Sequence, residues 1–499
     1  MKHISEAAER NFGAYPEKIL QFGEGNFLRA FADWMIDDLN EKGLYQGSIV
    51  LCQPIRGGEA LREILQRQDG NYTVLMRGSQ QGKPVEERHL VTSVSRCINA
   101  YDDLEELKKL FCSPDLEVVI SNTTEAGIVY RAGDRPDDRP PQSFPAKLTQ
   151  LLYIRYRTFG GDGHGLLFLP VELIDNNGYE LRRIILRYAR EWELEEDFIH
   201  WVEEENHFTS TLVDRIVTGY PGAEAEELWA GLGYTDRAMV ACELFDLWVI
   251  EGCKGWSDII PLGRGEGNVI WTDDVKPYKT RKVRILNGGH TSTVLAGVLA
   301  GYEQVQELME DQAFAGFLDG LLQEEVIPTI DLPQEKLTAF AGYVTERFRN
   351  PFIRHRLLDI SMNSISKFRT RCLPTLLGYR EKAGVLPERL CFSFAALIRF
   401  YRGRLTADGM IGTTDAGAEY PIRDSREVQE FFAEVWQAGN GDGAVSARQV
   451  TDCVLSQESF WGQDLTGIPG LTDKIAEYLD RMQAGKTEEM VWELSRLSE

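Results

Sequence analysis

The feature that most constrains this chain is a short apolar run that ends in glycine and opens a helix. Residues 18–23 read KILQFG, and Glu24 and Gly25 follow. In residues 27–41, Phe27, Leu28, Phe31, Trp34, Met35 and Leu39 recur at spacings of three and four, which makes one buried helical face. Gly43 suits its C-cap. SIVLCQPI (48–55) is a second strand-like run, stopped by Pro54. NYTVLMRG (71–78), the helix-like DDLEELKKLF (102–111) and LEVVISNTTEAG (116–127) come next. Strands alternating with helices predict an α/β domain built on a parallel sheet.

Pro and Gly cluster over 133–145, which reads as a surface loop. GHGLLFLPVELIDNNG (163–178) reads as another buried strand, and 181–206 as one or two charged helices. From Gly297 onward helical periodicity dominates, as in 311–323, 387–401 and 426–438. The expected layout is a Rossmann-like domain over 1–277 and a mostly helical domain over 278–499.

Charge excludes some partners. The 54 Lys and Arg against 78 Asp and Glu leave a formal charge of −24, which repels phosphodiester backbones and anionic lipid surfaces. Neither nucleic acid nor membrane is an expected partner; a small molecule is, and the chain can be a monomer or a homo-oligomer. An anionic substrate needs its own local cations. The eight cysteines form no CxxC and lie mostly in apolar stretches, so they read as reduced thiols of a cytoplasmic protein. Residues 1–11 lack the apolar core of a signal peptide. The seven histidines show no HxxxH spacing, so no metal is expected.

Three segments can carry chemistry. In Gly23-Glu24-Gly25-Asn26-Phe27-Leu28-Arg29-Ala30, glycines let the backbone turn tightly and approach a pyrophosphate. Leu28 stands at the third glycine position of GxGxxG. Gln53 and Pro54 occupy the end of the second strand, where the fingerprint has an acid, and Arg56 follows. These residues leave NAD and NADP both open. Ser121-Asn122-Thr123-Thr124-Glu125-Ala126-Gly127 closes a strand at the edge where open α/β sheets bind ligands; a turn with local side-chain hydrogen bonds explains it equally well. The third is KVRILNGGH, with Lys282, Asn287 and His290. In a helix Asn287 and His290 share a face, and the long Lys282 side chain reaches back toward them. The amide and imidazole would hold a carbonyl oxygen while the lysine exchanges its proton. On residue types alone, a surface lysine, a capping asparagine and a satisfied histidine account for the motif better. The small residues of 291–301 fit a helix wedged between two domains.

QFGEGNFLRAF, ISNTTEAGI, STLVDRIVTGYP, CELFDLWVIEG, KVRILNGGHT and NSISKFRTRCLP stand in one order along nearly the whole chain. In that order they resemble the mannitol dehydrogenase family, the polyol-specific long-chain dehydrogenases. The resemblance implies a Rossmann-type domain, NAD, and hydride transfer to a ketone. It implies NAD contacts along Ile19, Leu20, Gln21, Phe22 and the whole of Gly23 to Ala30, with Asn122, Thr123, Thr124 and Glu125. It makes Lys282, Asn287 and His290 the catalytic set. Ser210 stands where mannitol-type members have an asparagine, and Glu172 and Asn176 are the polar residues nearest the LP strand end. GEGNFLRAF and SNTTEAG most resemble the tagaturonate reductase branch. The fructuronate and mannitol branches, which typically carry histidine in place of Leu28, are the alternatives, and a non-catalytic dinucleotide sensor is a remote one. For an acidic sugar, Lys367, with His355 and Arg371 behind it, is the expected carboxylate clamp within the basic stretch 347–371.

Overall fold

The computed structural model describes residues 2–80, 83–124, 126–437 and 445–497. The chain forms two compact units: Met1–Gly78 with Val85–Val275, and Ser79–Pro84 with Lys276–Glu499.

The first unit is organised by a six-stranded parallel sheet. Its strands are β1 (Glu17–Phe22), β2 (Ser48–Gln53), β3 (Val94–Asn99), β4 (Val118–Ser121), β5 (Leu167–Pro170) and β6 (His207–Phe208), in the spatial order β3-β2-β1-β4-β5-β6. This is the doubly wound order, in which the direction of winding reverses between β1 and β4. Alternation along each strand buries both faces. Ile19, Ile49, Leu51, Val118 and Ile120 join one core, while Leu20, Phe22, Val50, Cys52 and Val119 join the other.

Three expectations for this unit change. The apolar stretch 27–41 is two helices, α1 (Asn26–Arg29) and α2 (Ala32–Glu41), broken at Phe31 with φ −129° and ψ −83°. The break frees the Ala30 carbonyl, and the Arg215 guanidinium takes it at 2.8 Å. The Tyr72–Gln80 strand is not part of the parallel sheet. It lies between Val240–Glu243 and Lys83–Val91 in a four-stranded sheet of its own. The loop expected over 133–145 ends early, because Phe144 and Pro145 open the helix α3 (Phe144–Phe159), capped by Ser143.

The second unit is mostly helical. A continuous helical rod runs through α4 (Lys276–Arg281), a π-helical segment (Lys282–Asn287) and α5 (Gly288–Ala300). Every residue of α5 from Gly288 to Leu299 is buried, as is every residue from Arg389 to Phe400 in the helix Glu388–Phe400. Small residues of α5 serve packing inside this unit. The Ser393 hydroxyl reaches the Ser292 carbonyl at 2.8 Å, and a methyl group on Gly297 would meet Leu308 at 2.8 Å. Helical periodicity does not hold to the end: Gly403–Thr406, Gly409–Thr413 and Glu419–Ile422 form an antiparallel meander. Among the described residues no helix is long and apolar enough to cross a membrane.

Candidate active site

In the first unit, two of the segments singled out by sequence meet at the switch point of the sheet. The Asn122 amide donates to the Phe22 carbonyl at 2.9 Å, which sets the turn after β1 beside the turn after β4. Gly23 has φ +119°, and a methyl group there would sit 3.1 Å from the Asn122 carbonyl oxygen. Glycine at 23 is therefore required by the fold. Gly25 differs. Its φ of −64° and ψ of 169° suit any residue, and a methyl group built on it would meet nothing within 4 Å. Neither backbone nor packing needs glycine at 25, and the open space in front of it fits the close approach of a pyrophosphate.

Side chains around this turn hold it from beneath. Arg29, expected among the cofactor contacts, is a buried brace. It donates to the Glu24 carbonyl at 3.0 Å, to Asn26 Oδ1 at 2.8 Å and to the Ala238 carbonyl. Gln21 Nε2 donates to the Gly23 carbonyl at 3.1 Å. Ile19, Leu20, Phe22, Leu28 and Ala30 put their side chains into the cores, so they offer a nucleotide only main chain. Glu24 is half-buried and Asn26 exposed, with Phe27 half-buried between them and the core. Burial raises the Glu24 carboxyl, against the opposing Arg29 charge.

The turn after β4 is organised by Glu172. Its carboxylate accepts from Ser121 Oγ at 3.1 Å, the Thr123 amide at 3.0 Å and Thr123 Oγ1 at 2.9 Å. Thr123 thus spends its side chain on the turn, whereas Asn122 is half-buried and Thr124 exposed at φ +75°. Glu125 lies outside the described residues. At the end of β2, Gln53 Oε1 accepts from Asn99 Nδ2 at 3.0 Å, and the Arg56 guanidinium sits 4.7 Å from the centre of the Tyr101 ring. Ser210 opens the strand Ser210–Asp214. Its hydroxyl is buried and meets no hydrogen-bond partner among the described residues. Asn176 takes φ +53° at the start of the helix Asn177–Glu191.

In the second unit, the π-helical segment spans Lys282 to Asn287. In an α-helix, residues five apart point in directions about 140° apart at roughly 100° per residue. The i→i+5 bonding of a π-helix puts more residues into each turn and narrows that angle to about 50°. The segment therefore brings Lys282 onto the side of Asn287, and the α-helical turn that follows puts His290 three residues further along it. Lys282 and Asn287 are half-buried and His290 is buried. The His290 ring stacks on Phe348 and meets His355 edge-on, 5.0 Å between centroids. Its Nε2 meets no partner among the described residues.

The expected clamp residues gather around the same imidazole. Burial first, then the charges of His355, Arg347, Arg371 and Lys367, hold His290 well below the usual histidine range, so it stays neutral. Burial and Arg347 also lower His355. Lys367 donates to the Ile360 carbonyl at 2.8 Å and is lowered by burial and Arg371. Arg371 donates to Thr291 Oγ1 at 3.3 Å. Arg347 and Phe348 were not singled out by sequence. Arg347 stands in the same basic stretch, which was the available signal, but nothing in its neighbours marks its place beside His290.

One group of three metal-type ligands occurs among the described residues: Asp37, Glu41 and His89. Arg10 reaches both carboxylates there, at 3.2 Å to Asp37, and Asp37 is further taken by the Thr92 amide and Ser93 Oγ, each at 2.7 Å. A guanidinium fills the cation's role.

A doubly wound nucleotide-binding unit and a helical unit carrying a lysine, an amide and a neutral imidazole are the parts of a nucleotide-dependent dehydrogenase. Residues 17–259 match the mannitol dehydrogenase Rossmann domain and residues 274–483 the mannitol dehydrogenase C-terminal domain. The chain is 47% identical to an altronate oxidoreductase of Pectobacterium atrosepticum over 474 residues, 94% of this chain and 96% of that one. It is 45% identical to one of Escherichia coli over 468 residues, 93% and 94% of the two chains. A D-sorbitol dehydrogenase has the same fold, with a TM-score of 0.79 at 21% identity over 96% of each chain. So has the mannitol 2-dehydrogenase of Pseudomonas fluorescens, at 0.65 and 23%, over 97% of this chain and 96% of that one. The chain belongs to the mannitol dehydrogenase family. It is an oxidoreductase acting on CH–OH groups, with NAD as its cofactor.

Proposed function

We propose that this protein interconverts D-tagaturonate and D-altronate, working in the cytoplasm, where its eight free cysteines stay reduced. The observation that carries the reading is the set of cations around His290: Lys367, Arg371 and Arg347. In a chain of net charge −24, such a set gives an incoming carboxylate a local field of the right sign. The altronate oxidoreductase relatives give the substrate its name.

The Gly23–Gly25 turn and the turn at Asn122 would hold the dinucleotide. Bound NADH supplies the hydride that the ketone carbon accepts. Asn287 and neutral His290 would donate hydrogen bonds to the ketone oxygen, and Lys282 would deliver the proton that makes it a hydroxyl. In the oxidative direction Lys282 would accept that proton. Lys367, with Arg371 and His355, would clamp the carboxylate.

The test is a panel of tagaturonate, fructuronate and fructose, each with NADH and NADPH. Tagaturonate with NADH should give the highest kcat/KM. Lys367→Met should raise KM for the acid about ten- to a hundredfold, the range of a charge-assisted contact, and leave fructose reduction nearly unchanged. Preference for fructose in the parent would overturn the acid reading.

A further inference from the structure

In dinucleotide-binding sheets an acid at the end of the second strand commonly takes the hydroxyls of the adenosine ribose. β2 carries no acid and ends in Gln53. The Gln53 Oε1 is held by Asn99 Nδ2 at 3.0 Å, which fixes the amide and leaves its Nε2 directed toward Gly58. Gly58 has φ +79°, and a methyl group built on it would come within 1.9 Å of Gln53 Nε2 and 3.6 Å of Glu24 Oε1. The Glu24 carboxylate, carried on the glycine turn after β1, thus reaches across to the end of β2. It stands beside the place where the missing acid would be.

That carboxylate is not spent on the turn itself. Arg29, five residues on, sends Nε to the Glu24 carbonyl at 3.0 Å, one terminal nitrogen to Asn26 Oδ1 at 2.8 Å and the other to the Ala238 carbonyl. The guanidinium holds the main chain of Glu24 and leaves its side chain to face outward, half-buried. Arg56, which follows β2, is the opposing influence. It is exposed, with its guanidinium 4.7 Å from the centre of the Tyr101 ring. Arg56 would draw a 2′-phosphate, and Glu24 would repel one.

We propose that Glu24 makes this enzyme choose NAD over NADP: its carboxylate accepts from the adenosine ribose hydroxyls, in place of an acid on β2, and meets a 2′-phosphate with like charge. In a half-buried place water screens that repulsion poorly, so it outweighs the pull of a solvated arginine. The inference rests on the placement of the dinucleotide at the Gly23–Gly25 turn.

The experiment compares NADH and NADPH on the full-length enzyme, by fluorescence titration of each and by kcat/KM with tagaturonate. Glu24→Gln keeps the shape and removes the charge. It should lower the preference for NADH by about tenfold or more, mainly through tighter NADPH binding, because like-charge contacts in a binding site are costly. Glu24→Asp keeps the charge and should reject NADPH within about threefold of the parent. Glu59, an exposed acid in the first turn of the helix Glu59–Arg67, is the control, and Glu59→Gln should leave the preference unchanged. If Gly25→Val leaves NADH affinity unchanged, the placement of the dinucleotide fails. If Gly25→Val weakens NADH while Glu24→Gln leaves the preference as it was, the placement stands and the role of Glu24 is overturned. A shift in Glu59→Gln alone would give the role to Glu59. Equal losses of NADH and NADPH affinity in Glu24→Gln would also overturn the proposal, leaving Glu24 a residue that shapes the turn.

Discussion

The His290 imidazole lies face to face with the Phe348 ring, centroids 3.9 Å apart and planes 17° from parallel. This contact fixes the plane of the imidazole, while burial and surrounding positive charge keep it neutral. A neutral ring held in one plane can donate a hydrogen bond in a defined direction without bringing a charge into the site. Phe348→Leu should therefore lower kcat about tenfold, since small misplacements of a catalytic group are costly, and leave NADH affinity unchanged. Steady-state kinetics with an NADH fluorescence titration decides it. A fall in NADH affinity equal to the fall in kcat would mean that the stack holds the fold and not the imidazole.

Gly23 and Gly25 should respond in opposite ways to substitution. Gly23 sits at φ +119°, so Gly23→Ala should cost stability, on the order of 1 kcal/mol or more. Gly25 has an ordinary conformation and open space before it. Gly25→Val should keep the melting temperature within about 2 °C and weaken NADH binding more than tenfold, about 1.4 kcal/mol. Unchanged NADH affinity in Gly25→Val would remove the dinucleotide from this turn.

Asp33 supplies a pH-dependent term. Its carboxyl is fully buried on α2 and accepts from the Tyr72 hydroxyl at 2.6 Å, and burial pushes it up to about 7. An unfolded aspartate titrates near 3.9. The folded state therefore keeps a proton that the unfolded state has lost between these values. The stability this contributes is fully present below about pH 4 and is lost as the pH rises through 7. Between pH 5 and pH 8 the urea-unfolding free energy of the parent should fall relative to Asp33→Asn by about 2 kcal/mol. A difference that does not vary with pH would mean that Asp33 ionises as an ordinary aspartate.

The sequence made some of this readable and hid the rest for identifiable reasons. The strands after Lys18, Ser48 and Glu117 were legible because each is a compact apolar run closed by a glycine, proline or polar turn. The break at Phe31 was not, because the apolar spacing of three and four runs straight through it, and the compensating partner, Arg215, is 185 residues away. The meander at 403–422 carried a local signal, the Asp408-Gly409 pair between alternating residues, which the surrounding helical periodicity outweighed. Lys367, His355 and Arg371 were legible as a basic stretch. Their convergence on one imidazole depends on tertiary packing, and no spacing along the chain encodes it.

The π-helical segment bears on how Lys282 is used. Spacing alone, read with α-helical geometry, leaves Lys282 well off the line of Asn287 and His290. The π segment narrows that separation. A helix interrupted in this way often marks a functional position, because the irregular bonding is otherwise selected against. Lys282→Ala should keep the fold and NADH affinity and reduce kcat by about 10² to 10⁴, the usual contribution of a positioned acid–base group. A small primary amine such as methylamine should then restore part of the lost rate in proportion to its concentration, because the space left by the side chain can admit a diffusible proton donor. A variant within threefold of the parent kcat would show that the proton travels by another route and that Lys282 serves only the helix.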